Sequence, residues 1–219
     1  MNSSLAFKTA SAFGGLLCLA LLSGCVTGRR SVALPINSQP QSSTTKGEVS
    51  VASVVDKRYF ENKPRDPSTP SVDGDVAALS EAERSTMIGR QRNAYGKALG
   101  DVALPPGETV PQRARVLIEE AFKRRDYRIS SGAATNVVDV VVNEFWGWST
   151  PGAFSIAFEA RVACTLTIKG STGTQTLRVN GAGRNQAQVA SDPNWQLAYH
   201  RAFEDFIVNL HRELGKVGL

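Results

Sequence analysis

From Phe154 to Lys169 the chain alternates with period two. Phe154, Ile156, Phe158, Ala160, Val162, Cys164, Leu166 and Ile168 are interleaved with Ser155, Ala157, Glu159, Arg161, Ala163, Thr165, Thr167 and Lys169. Successive side chains of a strand point to opposite faces, so this run describes a long strand with one buried and one wet face. Strands average about five or six residues, and one this long is expected to carry a bulge or a strong twist. The buried face needs a cover, and two helical stripes supply it. Thr109 and Gln112 have capping spacing ahead of Val110, Ala114, Leu117, Ile118, Ala121 and Phe122. Asp192-Pro193 opens a second helix whose stripe is Trp195, Tyr199, Ala202, Phe203, Phe206, Leu210 and Leu214.

Three further strands complete the sheet. Val49 to Val55 and Val137 to Val142 are β-branched runs, and Gln175 to Gln188 follows a Ser171-Thr172-Gly173 turn. Gly181 and Gly183 in the last strand suggest a bend or a closely approaching helix. The expected fold is α+β: a two-layer sandwich of a four-stranded, mixed and mostly antiparallel sheet with two amphipathic helices on one face. A helix crossover would set the first strand parallel to a neighbour.

Between the first strand and the first long helix lies an excursion over residues 59–108. Pro64, Pro67 and Pro70 make its first half irregular. Ser80 and Glu83 have capping-box spacing for a short helix from Glu81 to about Ile88. After it, Arg90, Arg92, Tyr95 and Lys97 fall in a stretch with four cations from Arg84 to Lys97 and no acid. These residues are the leading candidates for a partner surface or a contact for lipid phosphates, with a plain solvated loop as the competing reading. Trp146 and Trp148, at the end of a strand and near cations, are candidates for stacking on a glycan, against the alternative of packing. Lys123, Arg124, Arg125 and Arg128 close a helix, where cations complement the macrodipole.

The chain's first 25 residues have a different logic. Lys8 is the only charged residue before Cys25, and Ala10 to Leu22 is apolar or small throughout. That is the pattern of an export signal, and the run is shorter than the roughly 20 residues of a spanning helix. Leu22-Ser23-Gly24-Cys25 resembles the bacterial lipobox, which implies cleavage before Cys25 and its acylation. Val26 in the next position favours the outer membrane. Removing residues 1–24 takes one lysine and no acid from the 219-residue chain of formal charge +5, leaving 195 residues at +4. Residues 25–47, rich in Ser, Thr, Gln and Pro, are expected to form a flexible tether about 25 Å long. Residues 48–219 form a single domain. Of three cysteines, Cys18 leaves with the signal, Cys25 is lipidated and Cys164 stays in the core. Neither a disulfide framework nor a transition-metal site is expected, nor any cofactor. The modest basic excess is too small to indicate nucleic acid.

The lipobox, Val54-Val55-Asp56-Lys57-Arg58 ending the first strand, Lys123-Arg124-Arg125-Asp126-Tyr127-Arg128 closing a helix, and the long strand with its terminal helix together resemble the YajG family of bacterial lipoproteins. They are more distantly similar to the lipopolysaccharide-assembly lipoprotein LptE. The resemblance implies a lipoprotein of the outer membrane facing the periplasm, with no settled activity. The residues contain no serine elbow, metal cluster or phosphate loop. The reading is therefore a membrane-anchored, non-enzymatic accessory lipoprotein of the cell envelope that binds an envelope protein. The alternative is a lipid- or glycan-binding module.

Overall fold

The computed structural model describes residues 28–40, 43–171 and 173–219. The signal segment and Cys25 lie outside the described residues. One mixed sheet of eight strands is organised on three long ones, β6 (Asn136–Pro151), β7 (Ile156–Gly170) and β8 (Gly173–Ala187), which pair antiparallel in sequence. On its other side β6 carries two parallel strands placed end to end. β2 (Gly47–Asp56) runs from the Val49–Asn136 pair to the Asp56–Val142 pair, and β3 (Met87–Arg92) pairs Gly89 with Gly147 and Arg90 with Trp148. Beyond them, β5 (Tyr127–Ile129) lies parallel to β2, β4 (Ala98–Ala103) antiparallel to β3, and β1 (Arg30–Ser31) parallel to β4.

The expected four-stranded sheet with two helices is thus corrected to eight strands and three α-helices among the described residues, within an architecture that is still α+β. The helices are α1 (Glu81–Thr86), α2 (Val110–Lys123) and α3 (Asp192–Lys216). Most of the difference lies in the 59–108 excursion, which holds α1, β3 and β4. β3 reads Met-Ile-Gly-Arg-Gln-Arg, with no alternation to mark it. Tertiary fit makes it a strand: a Cβ on Gly89 would lie 2.5 Å from the Gly147 carbonyl oxygen, so only glycine allows this approach. The long-strand irregularity falls on β6, where the register shifts between Val142 and Glu144.

Both long helices cover one face. α3 lies almost in contact with the β8 backbone, because Gly181 and Gly183 have no side chains to hold it off. Its polar residues then reach the strand's outer edge. The Ala182 N–H donates to Asp205 at 2.9 Å, Asn209 donates to the Asn180 carbonyl at 2.8 Å, and Arg201 donates to the Arg184 carbonyl.

The other face has a smaller core of Phe60, Val72, Met87, Ala103, Trp146 and Trp148, roofed by the segment after β2. The roof is tied down at Arg58. Its buried guanidinium pairs with Asp56 at 2.7 Å and donates to the carbonyls of Met87 (2.6 Å), Phe145 (2.9 Å) and Arg84 (2.9 Å).

Within the stretch read as a tether, residues 30–39 lie against the domain. Arg30–Ser31 joins the sheet, Val32 and Leu34 are buried, and the Gln39 N–H donates to Glu120 at 2.8 Å.

Candidate functional site

The strand directions bring several turns to one end of the sheet. β3 and β6 run parallel, so the β3–β4 turn (93–97) and the β6–β7 turn (152–155) emerge together, and the segment after β8 joins them. In the first turn Gly96 takes φ +77 and the Asn93 carboxamide oxygen accepts from the N–H groups of Tyr95 (3.0 Å) and Lys97 (2.9 Å). This side-chain closure mimics a backbone turn. In the second, the Gly152 N–H donates to the Ser155 carbonyl at 2.7 Å.

Between these turns and the 63–67 segment runs a groove. One part, of ≈ 400 Å³, is lined by Arg65, Arg92, Tyr95 and Pro151, among others. The other, of ≈ 390 Å³, is lined by Lys63, Asp73, Arg90, Arg92 and Lys97. Arg92 belongs to both. The groove therefore has five cationic walls and one carboxylate.

The structure separates the four residues singled out in this loop. Arg90 points inward, is buried, and sits 3.2 Å from Asp73 and 3.7 Å from Asp101. Arg92 is half-buried and donates to the Gly96 carbonyl and the Ser71 hydroxyl. Burial first, and the Arg90 charge second, lower its pKa, while Asp66 acts in the opposite direction. The Arg92 charge is thus poorly compensated, and an anion in the groove would relieve it. Tyr95 is 95% exposed and Lys97 is also exposed at the rim.

Trp146 and Trp148 are 0% and 5% exposed and offer no stacking face to solvent. Trp146 meets Phe60 edge-on at 5.9 Å and its indole N–H donates to the Pro67 carbonyl at 3.3 Å. Trp148 lies beneath the Arg161 guanidinium at 5.0 Å. Their contribution is indirect, because Trp146 fixes the segment that forms one groove wall.

Two features escaped the sequence. Phe154, read as the first inward residue of the long strand, is 93% exposed, because the strand starts at Ile156. Thr150-Pro151-Gly152 before it was the available signal for a turn. Lys63 and Arg65, set among prolines, reach the groove only through the packing of the roof.

A second surface is the sheet face opposite the helices, between β2 and β8. It presents Val55, Val137, Val141, Ala163, Thr165 and Thr167 among charged side chains: Asp139 and Lys169 pair there at 2.9 Å, and Glu144, Arg161 and Arg178 face the same side. Cys164 points away from this face into the core, and burial pushes its thiol up to about 12, which makes it inert packing. The described residues contain no group of three or more His, Cys, Asp or Glu placed to hold a metal. Among the described residues no helix is long and apolar enough to cross a membrane.

No family model and no curated protein matches the chain. Among solved structures, it is similar to a Xanthomonas campestris protein of the DUF330 family, with 8% identity and TM-score 0.42 over 86% of this chain and 97% of that one. An uncharacterized protein aligns at 11% identity and TM-score 0.38 over 86% and 98% of the two chains. A hypothetical protein from Chlamydia trachomatis aligns at 12% identity and TM-score 0.34 over 76% and 96%.

Proposed function

We propose that this chain is a YajG-like accessory lipoprotein, anchored through Cys25 in the outer membrane and facing the periplasm, that acts by binding an envelope protein and carries out no reaction. The observation that carries the reading is the open sheet face opposite the helices. Its Val55, Val137, Val141, Ala163 and threonines form an uncharged strip, interrupted by Asp139 in its pair with Lys169 and bordered by Glu144, Arg161 and Arg178, an arrangement of less polar centre and charged rim that suits an interface. A photoreactive residue at Thr165 in living cells should yield one discrete protein adduct, whereas the same residue at Val208, on the outer side of α3, should yield none. Absence of a protein adduct from Thr165 would sink the reading.

The cationic groove favours a second reading, a module that binds an anionic lipid or glycan, because an anion would stabilise Arg92. A lipid or glycan adduct from Asn93 with no protein adduct from Thr165 would favour it over the first.

A further inference from the structure

We infer that the sheet end bearing the β3–β4 and β6–β7 turns rests on the anionic headgroup layer of the bilayer, with Tyr95 and Phe154 inserted at the interface. The inference rests on the lipid-anchor reading of Cys25 and adds to it a fixed orientation.

The first argument is the length of chain available. Gly28 is held beside the start of β4, where its N–H donates to the Leu99 carbonyl at 3.3 Å. A side chain on Gly100 would lie 2.0 Å from the Gly28 carbonyl oxygen, so this seat depends on glycine. Two residues, Val26 and Thr27, separate Gly28 from Cys25, and the three residue-to-residue steps, at ~3.6 Å each, span at most about 11 Å. An acylated Cys25 therefore keeps the start of β4, and the 93–97 turn immediately before it, within reach of the headgroups. The opposite end of the sheet lies a full long strand away, roughly 50 Å for 15 residues.

The second argument is what each end exposes. Tyr95 is 95%, Phe154 93% and Val189 64% exposed, and all three sit at the end near the anchor. At the far end the 130–135 loop and the β7–β8 turn expose serine, glycine, alanine and threonine. Solvent-facing aromatics belong at a membrane interface, where a ring meets acyl chains and headgroups together.

The third argument is charge. Lys63, Arg65, Arg92 and Lys97 open onto this end, and among the described residues none of them has a carboxylate within ion-pair distance. Asp73 is engaged by Arg90, and Asp66 lies beside Arg92 and Arg161. Phosphates of an anionic leaflet would fill the groove and neutralise its excess of cations.

The test uses the full lipidated chain reconstituted into vesicles of phosphatidylethanolamine and phosphatidylglycerol containing brominated phospholipid. Phe154→Trp and Tyr95→Trp keep an aromatic at exposed positions, and Val208→Trp is the control on α3. The native tryptophan emission, measured on the wild-type chain, is subtracted. Blue-shifted emission quenched several-fold more at 154 and 95 than at 208 supports the orientation. Water-like, unquenched emission at both positions in vesicle-bound protein overturns it and leaves the anchor intact. The anchor is tested separately by Cys25→Ser, which should leave the membrane fraction of cells. Its retention there would overturn the anchor reading and the chain-length argument with it.

Discussion

Gly183→Ala isolates the contact that seats α3. An ideal Cβ at this position would stand 2.1 Å from the Ala198 carbonyl oxygen and 2.4 Å from the Ala202 nitrogen. A relaxed carbon–oxygen contact is about 3.3 Å, so the helix would have to withdraw by about 1 Å. Both opposing atoms are helix backbone, and no rotamer change on α3 can make room. A gap of that size forfeits a quarter to a half of each affected contact, among residues such as Ala198, Ala202 and Phe206 that are fully buried. Overpacking of this kind costs roughly 1–3 kcal/mol, and we expect the upper part of that range. In thermal unfolding that is a fall of about 4–10 °C for a domain of this size. The sign is the informative part, because alanine in an ordinary strand position is more favourable than glycine. Gly132→Ala is the matched control: nothing lies within 4 Å of its added Cβ, and it should be neutral or slightly stabilising. Urea unfolding with an unchanged m-value measures both. If Gly183→Ala unfolds within about 0.5 kcal/mol of wild type, the close seat of α3 on β8 is refuted.

Arg58→Met should cost roughly 3–5 kcal/mol, because it leaves Asp56 unpaired and three carbonyls without their donor. Arg58→Lys should recover little, since one ammonium cannot span the same set. Denaturant unfolding measures the cost, and a red shift of Trp146 emission would report the lifting of the roof. His211 should make the fold sensitive to acid. Burial lowers its pKa most, the Ala121 carbonyl at 2.7 Å opposes that, and Arg125, Arg124 and Lys46 lower it further. The folded value thus lies below the unfolded one, near 6.5, and the unfolded chain binds more protons between them. Stability from this group is complete above about pH 7 and is lost as pH falls through the unfolded value towards the folded one. His211→Gln should flatten that part of the stability profile. An unchanged slope would refute it.

The legible parts of the fold were those in which one element sets its own pattern. The alternation of β7, the stripes of α2 and α3 and the capping box of α1 are local facts of sequence. The Gly181–Gly183 pair was legible as a bend or a closely approaching helix, since missing side chains leave space to be filled, and the structure has the helix there. β3 and β4 were not legible, because Gly89 and Gly100 act through partners distant in sequence. The groove shares that limit: Arg90 and Arg92 stood out by charge, but which one turns inward is decided by Asp73 and Asp101. Trp146 and Trp148 read as surface candidates because their cover, the roof from Phe60 to Val72, has no pattern that ties it to the sheet.

The contacts of Asp205, Asn209 and Arg201 with β8 have a consequence for encounters between copies of the chain. Copies anchored as proposed would share two dimensions and meet often, and the outer border of a long terminal strand is a template for pairing with a neighbour. Between Asn180 and Arg184 three backbone groups that would recruit one, the Asn180 and Arg184 carbonyls and the Ala182 N–H, are already occupied by side chains of α3. Neighbouring copies are denied those rungs of the ladder, which opposes continuation of the sheet from one molecule into the next.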